Sequence, residues 1–263
     1  MKQLVLRAFT GSLFIGVILA GIYLPCTAAG LIFALFPAVL VWELLKLDRH
    51  PASFLERGLQ AGGASYLYIA VYGWVHQWWG ENCFLPYIFF LMYILIAELF
   101  RRSIDPLRKW SLTVFGQVYC GGSLSLLSFF SGSWEVMAIF VTVWVNDTAA
   151  YLVGSQIGRH KFFESVSPKK SWEGFWGGFT GAMVVSQVLS RFHTELSSIE
   201  WVGFSLCIVV SSTFGDLVES LLKRTLSVKD SGHSLPGHGG FLDRFDSSLM
   251  AIPAAYIFLQ LVR

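Results

Sequence analysis

Runs of about 20 predominantly apolar residues recur along this chain, separated by short polar interruptions, and a run of that length is what a helix needs to cross a bilayer. Nine such segments can be drawn, at 8–24, 28–45, 58–78, 84–100, 110–130, 136–157, 175–190, 201–222 and 247–262. The third and seventh are the weakest, because glycine and polar residues interrupt them. Only 14% of the residues are charged and 54% are hydrophobic, whereas a soluble domain carries about a quarter charged residues. A soluble core of this length could not hide so much apolar surface from water. The pattern predicts an all-α, polytopic integral membrane protein with about nine transmembrane helices. No linker divides it, so residues 1–263 are read as a single transmembrane domain, with N-terminal helices over 1–135 and a more polar part over 136–263.

The basic residues supply an orientation. With the N-terminus in the cytoplasm, the internal segments hold 17 of the 19 Lys and Arg residues, and only Arg191 and Arg263 fall outside. Cytoplasmic loops collect Lys and Arg in this way. With nine spans the C-terminus then lies outside. The stretch after the first apolar run, Gly21 to Cys26, fits a signal-peptide cleavage site poorly, so that run is read as a retained helix. The four cysteines are far apart with no CxxC pair, which points to buried apolar residues rather than zinc or disulfides.

Chemistry-bearing residues concentrate in the second half. In the first, the exception is Glu98, which reads as an interfacial carboxylate paired with Arg101 or Arg102. Asn146-Asp147-Thr148 opens one constellation, with Asp147, Tyr151, Gly154 and Gly158 on one helical stripe. A packing seam with an interhelical hydrogen bond would explain it, as would a functional carboxylate, since ionisable groups inside membrane helices are costly. Ser165 through Gly174 forms a second, in which Ser167, Lys169 and Lys170 precede a helix entrance. Cations and free backbone N–H groups there suit a polyphosphate, although a basic cytoplasmic loop needs no such purpose.

The third constellation is the sharpest. Asp216, Glu219, Ser220 and Lys223 share one helical face, followed by Arg224, Lys229, a Pro-Gly-His-Gly-Gly turn at 236–240, and Asp243, Arg244 and Asp246. The turn cannot continue a helix and should present backbone N–H groups, as anion-binding loops do. Capping alone does not require three aspartates, three basic residues and a glycine turn within about 30 residues. Hard oxygen ligands beside cations are what Mg²⁺-dependent phosphoryl or nucleotidyl transfer uses. Gly174/Gly178 and Gly177/Gly181 spacings suit helix packing within or between chains.

At these residues the chain resembles the phosphatidate cytidylyltransferases, or CDP-diacylglycerol synthases. Their signature reads here as Ser220-Leu221-Leu222-Lys223-Arg224, Lys229-Asp230, Pro236-Gly237-His238-Gly239-Gly240 and Asp243-Arg244-Phe245-Asp246. The upstream Asp-Thr-x-Ala-Tyr-x-x-Gly and Ser-Pro-Lys-Lys-x-x-Glu-Gly elements are also present, with Ser171 where Thr is more usual. The resemblance implies transfer of CMP from CTP to phosphatidate, giving CDP-diacylglycerol and pyrophosphate. It implies Mg²⁺, with a monovalent cation such as K⁺ as a further candidate. Asp216, Asp243 and Asp246 would be the metal ligands, with Lys223 and Arg224 completing the catalytic set. Asp147, Ser167, Lys169, Lys170, Ser220, Lys229, His238, Gly239, Gly240 and Arg244 would bind substrates. It also implies a homodimer among membrane lipids in a bacterial inner membrane, with the site facing the cytoplasm and no nucleic-acid partner. The rival readings are a polyprenol kinase, a synthase of another anionic lipid and a cation transporter using Asp147 and Asp216.

Overall fold

A computed structural model describes residues 2–24, 26–48, 52–101, 105–130, 132–228, 230–232, 234 and 239–263. Its elements begin where local chemistry permits. Helices α1 (Lys2–Tyr23) and α2 (Cys26–Lys46) are followed by α3 (Phe54–Val75), whose first turn is closed by a reciprocal cap. Glu56 N–H donates to the Ser53 hydroxyl at 3.3 Å, and Ser53 N–H donates to the Glu56 carboxylate at 2.7 Å. This satisfies two N–H groups that a helix start leaves open. After α4 (Leu85–Arg101), Asp105 caps α5 (Pro106–Gly116) with Pro106 in the first turn, where its missing N–H costs nothing. A π-helical stretch, Gln117–Gly122, then leads through the single turn α6 (Ser123–Ser125) into a 3-10 turn at Leu126–Phe129.

Beyond these lie α7 (Ser133–Ile157), the short antiparallel strands β1 (Lys161–Phe163) and β2 (Ser167–Ser171), and α8 (Trp172–Phe192). Helices α9 (Ser198–Thr225) and α10 (Leu242–Val262) complete the order. The fold is helical as expected, with one addition: the Ser-Pro-Lys-Lys stretch that precedes the α8 entrance is a strand, and Ser171 ends it by capping α8.

Among the described residues, six helical segments are long and apolar enough to cross a membrane: Thr27–Lys46, Glu81–Arg101, Pro106–Phe129, Trp134–Ile157, Ser198–Thr225 and Leu242–Val262. Thr10–Tyr23 is apolar but shorter. Helices α3 and α8 are absent from the six. Their sequences carry the glycines and polar residues that weaken the third and seventh apolar segments.

The chain divides into two compact units, one of residues 1–129 with 230–242 and the other of 130–229 with 243–263. In the first, Leu40, Leu44, Ala64, Tyr68, Cys120 and Leu124 are buried. Polar pins cross this interior, since Thr113 donates to the Gln60 side chain at 2.8 Å and Gln117 to the Gln60 carbonyl at 2.8 Å. Glu98 is buried and pairs with Arg101 at 3.0 Å and Lys109 at 4.0 Å, while Arg102 lies outside the described residues.

In the second unit α7 and α8 approach on small residues. A Cβ on Gly174 would lie 2.9 Å from the Ala150 carbonyl oxygen, and one on Gly178 would lie 2.4 Å from Asn146 Oδ1. Between helices in lipid there is little hydrophobic gain, so such backbone contact is what holds them. The glycine pairs of α8 are thus used within the chain. Phe140, Trp201, Phe204, Ile208 and Phe245 fill the space between α7, α9 and α10.

Candidate functional site

Four elements of the second unit converge on a group of carboxylates. On α9, Asp216 and Glu219 stand one turn apart, and the start of α10 adds Asp246. One carboxylate oxygen from each of the three lies within 4.8 Å of the others. Three negative charges so close repel strongly unless a cation stands among them. Glu219 is fully buried, and its Oε1 has no hydrogen-bond partner among the described residues. An orphaned, buried carboxylate oxygen in an all-oxygen donor set suits a hard divalent cation such as Mg²⁺.

Two lysines border this trio. Lys223, one turn beyond Glu219, ion-pairs with it and donates to Asp243 Oδ1 at 2.8 Å. Lys170, delivered by β2, lies 2.8 Å from Asp216 Oδ2 and donates to the Thr213 carbonyl at 3.3 Å. The hairpin therefore brings one cation of the Ser-Pro-Lys-Lys element onto α9. Ser220 donates to Asp216 Oδ1 at 3.2 Å. Asp246 accepts from the Ser247 N–H at 2.6 Å.

Asp147 on α7 stands within the electrostatic reach of Asp216 and Lys170 and accepts a hydrogen bond from Ser247. Its neighbour Asn146 donates to Asp147 Oδ1 at 3.4 Å and to the Ser212 hydroxyl at 3.3 Å, tying α7 to α9. The expected stripe on α7 holds through Gly154. Gly158 is one residue past the helix and takes an extended conformation.

The hairpin is fastened at its base outside the spans. Glu173 accepts from the N–H groups of Arg159 at 3.1 Å and His160 at 3.2 Å, and its Oε1 lies 2.6 Å from His160 Nδ1. The His160 contact, with these backbone donors, holds the Glu173 carboxyl down at about 2. Arg224, exposed on α9, donates to the Val166 carbonyl in the hairpin turn at 3.5 Å.

The sequence-derived residues thus separate into groups. Asp147, Lys170, Asp216, Ser220, Lys223, Asp243 and Asp246 gather in the second unit. Ser167 is half-buried and Lys169 exposed on β2, and Arg244 is exposed on α10. Gly239, with a positive φ of 83°, and buried Gly240 belong to the first unit. Lys229 and His238 lie outside the described residues. The carboxylate completing the trio is Glu219, which sequence reasoning places on the shared face without a ligand role. Asp243, expected as a ligand, has its Oδ1 held by Lys223. The signal for Glu219 was present in its spacing from Asp216. Missed altogether was Glu43 of α2, 1% exposed inside an apolar helix.

The family model described as "Cytidylyltransferase family" matches residues 5–262. The chain is 44% identical over 126 residues to a protein of Staphylococcus epidermidis named phosphatidate cytidylyltransferase, a match covering 47% of this chain and 48% of that one. Proteins of the same name from Staphylococcus aureus and Staphylococcus saprophyticus are 42% identical over the same shares. The chain spans about half the length of the curated relatives it matches.

Proposed function

The chain belongs to the cytidylyltransferase family, and from that premise we propose that it transfers CMP from CTP to phosphatidate, giving CDP-diacylglycerol and pyrophosphate. The observation that carries this reading is the carboxylate trio of Asp216, Glu219 and Asp246 bordered by Lys170 and Lys223. Acid on one side and base on the other suits a divalent cation together with the phosphates it accompanies. The names of the relatives agree with it.

The phosphatidate oxygen is already an anionic nucleophile, so the protein need not generate one. It attacks the α-phosphorus of CTP, the bond to the β-phosphate oxygen breaks, and pyrophosphate leaves with the electron pair. Asp216, Glu219 and Asp246 would hold Mg²⁺, which when bound supplies charge neutralisation for the triphosphate. Lys223 and Lys170 would meet phosphate oxygens as the leaving group gains charge. Arg224, Lys169, Ser167, Ser220 and Arg244 contribute further donors, and Asp147 lines the approach. Asp243 orients Lys223 through their 2.8 Å contact and is a ligand candidate once phosphate draws Lys223 away. Lys229, His238, Gly239 and Gly240 are proposed to bind phosphate through the glycine turn, and K⁺ is proposed as a second cation.

The same reading takes in the whole chain as one transmembrane domain in a bacterial inner membrane. The distribution of Lys and Arg supports nine spans with the N-terminus and site on the cytoplasmic side and the C-terminus outside. In that arrangement α3 and α8 cross the bilayer with Gln60 and Gly63 of α3 and Gly174, Gly178 and Ser186 of α8 buried against the rest of their own units, which tolerates these residues. A homodimer is proposed from the same family likeness.

The test is incubation of the purified, detergent-solubilised protein with radiolabelled CTP, phosphatidate and Mg²⁺. Label should pass to an organic-extractable lipid, should require Mg²⁺, and should be lost in Asp246→Asn. Folded protein that instead phosphorylates a polyprenol, or forms no product, would overturn the reading.

A further inference from the structure

Glu43 is the most anomalous side chain outside the site just described. It lies in the α2 segment Thr27–Lys46, long and apolar enough to span a membrane, yet its carboxylate is almost completely buried. An ionisable group so placed is costly and calls for a partner of its own. That partner is backbone. Leu242 N–H donates to Glu43 Oε2 at 2.8 Å. Leu242 is the first residue of α10, and a helix start leaves its N–H groups without acceptors in the helix itself. Glu43 therefore works as a cap supplied by a different helix.

The same carboxylate is gripped by two glycines that precede α10. A Cβ on Gly232 would lie 3.2 Å from Oε1, and one on Gly240 would lie 2.8 Å from Oε2. The glycines also meet each other, since the Gly240 Cβ would fall 2.9 Å from the Gly232 nitrogen. Gly232 and Gly240, eight positions apart in sequence, thus meet at one point and form a closed neck. Ser231, buried beside them, has its hydroxyl where a Gly240 Cβ would fall. A side chain at Gly240 would collide with the carboxylate, and one at Gly232 would press on it. Oε1 has no hydrogen-bond partner among the described residues, so the neck holds it by shape and Leu242 holds its partner oxygen by a bond.

We propose that Glu43 is a positioning residue: from α2 it clamps the neck formed by Gly232 and Gly240 and caps α10, and so sets where the chain enters the helix that carries Asp243 and Asp246. The proposal rests on the cytidylyltransferase reading for its effect on turnover. The clamp itself can be read without turnover.

The experiment compares wild type, Glu43→Ala and Glu43→Gln in detergent. Amide hydrogen exchange is followed over 239–243, and kcat and KM for CTP are measured per folded molecule. Glu43→Ala should speed exchange at the Leu242 amide while distant helices stay protected. It should lower kcat/KM on the order of 100-fold, as a shift of about 1 Å in a positioned group can do. Glu43→Gln keeps a carbonyl oxygen for Leu242 and should recover most of both. A purely structural brace would reduce the yield of folded protein and leave kcat per folded molecule unchanged, which overturns the proposal. If Glu43→Ala does not fold, Gly232→Ala presses on the carboxylate from the loop side and should move both readouts the same way. Wild type that makes no CDP-diacylglycerol would sink the reaction assignment alone. Unchanged exchange at Leu242 in the folded variant would sink the clamp alone.

Discussion

Lys223 sits between two carboxylates, Glu219 at full burial and Asp243 partly exposed, so its charge serves folding as well as the phosphate binding proposed for it. Removing one member of a buried pair leaves the other uncompensated, at about 3–5 kcal/mol, whereas replacing both with apolar residues is often neutral. Lys223→Met should therefore lower the stability of the detergent-solubilised protein by about 3 kcal/mol in chemical denaturation. The Glu219→Leu/Lys223→Met double variant should regain most of it and remain inactive. Recovery of stability with no recovery of turnover would separate the two duties, and a double variant as unstable as the single one would count against the pairing. At this scale the motif residues were legible because they are crowded into a short stretch. Glu43 was not, because a lone acid in an apolar helix has the same sequence appearance whether it meets lipid headgroups or a backbone N–H on a segment 199 positions away.

Helix α8 shows how packing fixes an element in place. Its glycines stack on the backbone and small side chains of α7, and Gly178 has no room for even a methyl group. Gly178→Ala should destabilise the protein by about 1–3 kcal/mol through overpacking. Gly62→Ala on α3, where a Cβ meets nothing within 4 Å, should be neutral or stabilising by up to about 1 kcal/mol. Melting temperatures of the two variants check the contrast. The hairpin ahead of α8 makes a pH prediction. Glu173 has its pKa lowered from 4.5 to about 2 in the folded state, so its clasp contributes fully above pH 4.5 and is lost as pH falls toward about 2. Amide exchange at Arg159 and His160 should stay slow at about pH 5 and quicken below about pH 3, and Glu173→Gln should abolish that dependence. The strands themselves were not legible in advance, because Ser-Pro-Lys-Lys carries little β-propensity. Their pairing is imposed by the fastening of both ends, through Glu173 and the Ser171 cap.

For the molecule as a whole, the proposed topology predicts opposite labelling of two inserted cysteines in a cysteine-free background. Glu164→Cys in the hairpin turn should react from the cytoplasmic side, and Gln77→Cys after α3 from the other. Reaction of both from the same side would break the nine-span, N-inside arrangement. Mg²⁺ should also raise the melting temperature of the intact protein, by the equivalent of about 2.7 kcal/mol at one hundred times its dissociation constant. That shift should vanish in the Glu219→Gln/Asp246→Asn variant.

What the sequence determined by itself was the solvent, the helical architecture and where the chemistry-bearing residues concentrate. Long apolar runs leave lipid as the medium, helices follow because lipid offers backbone groups no water, and acids, bases and glycines crowd into one short stretch. The tertiary structure decided which of those groups meet. Glu219 joins Asp216 and Asp246, Asp243 meets Lys223, Lys170 arrives on a hairpin, and a buried acid from α2 reaches the first N–H of α10. Spacing along one helix fixes only a shared face. Contact between helices depends on how closely their backbones approach and on where a buried charge can find a partner, and both are properties of the packed chain.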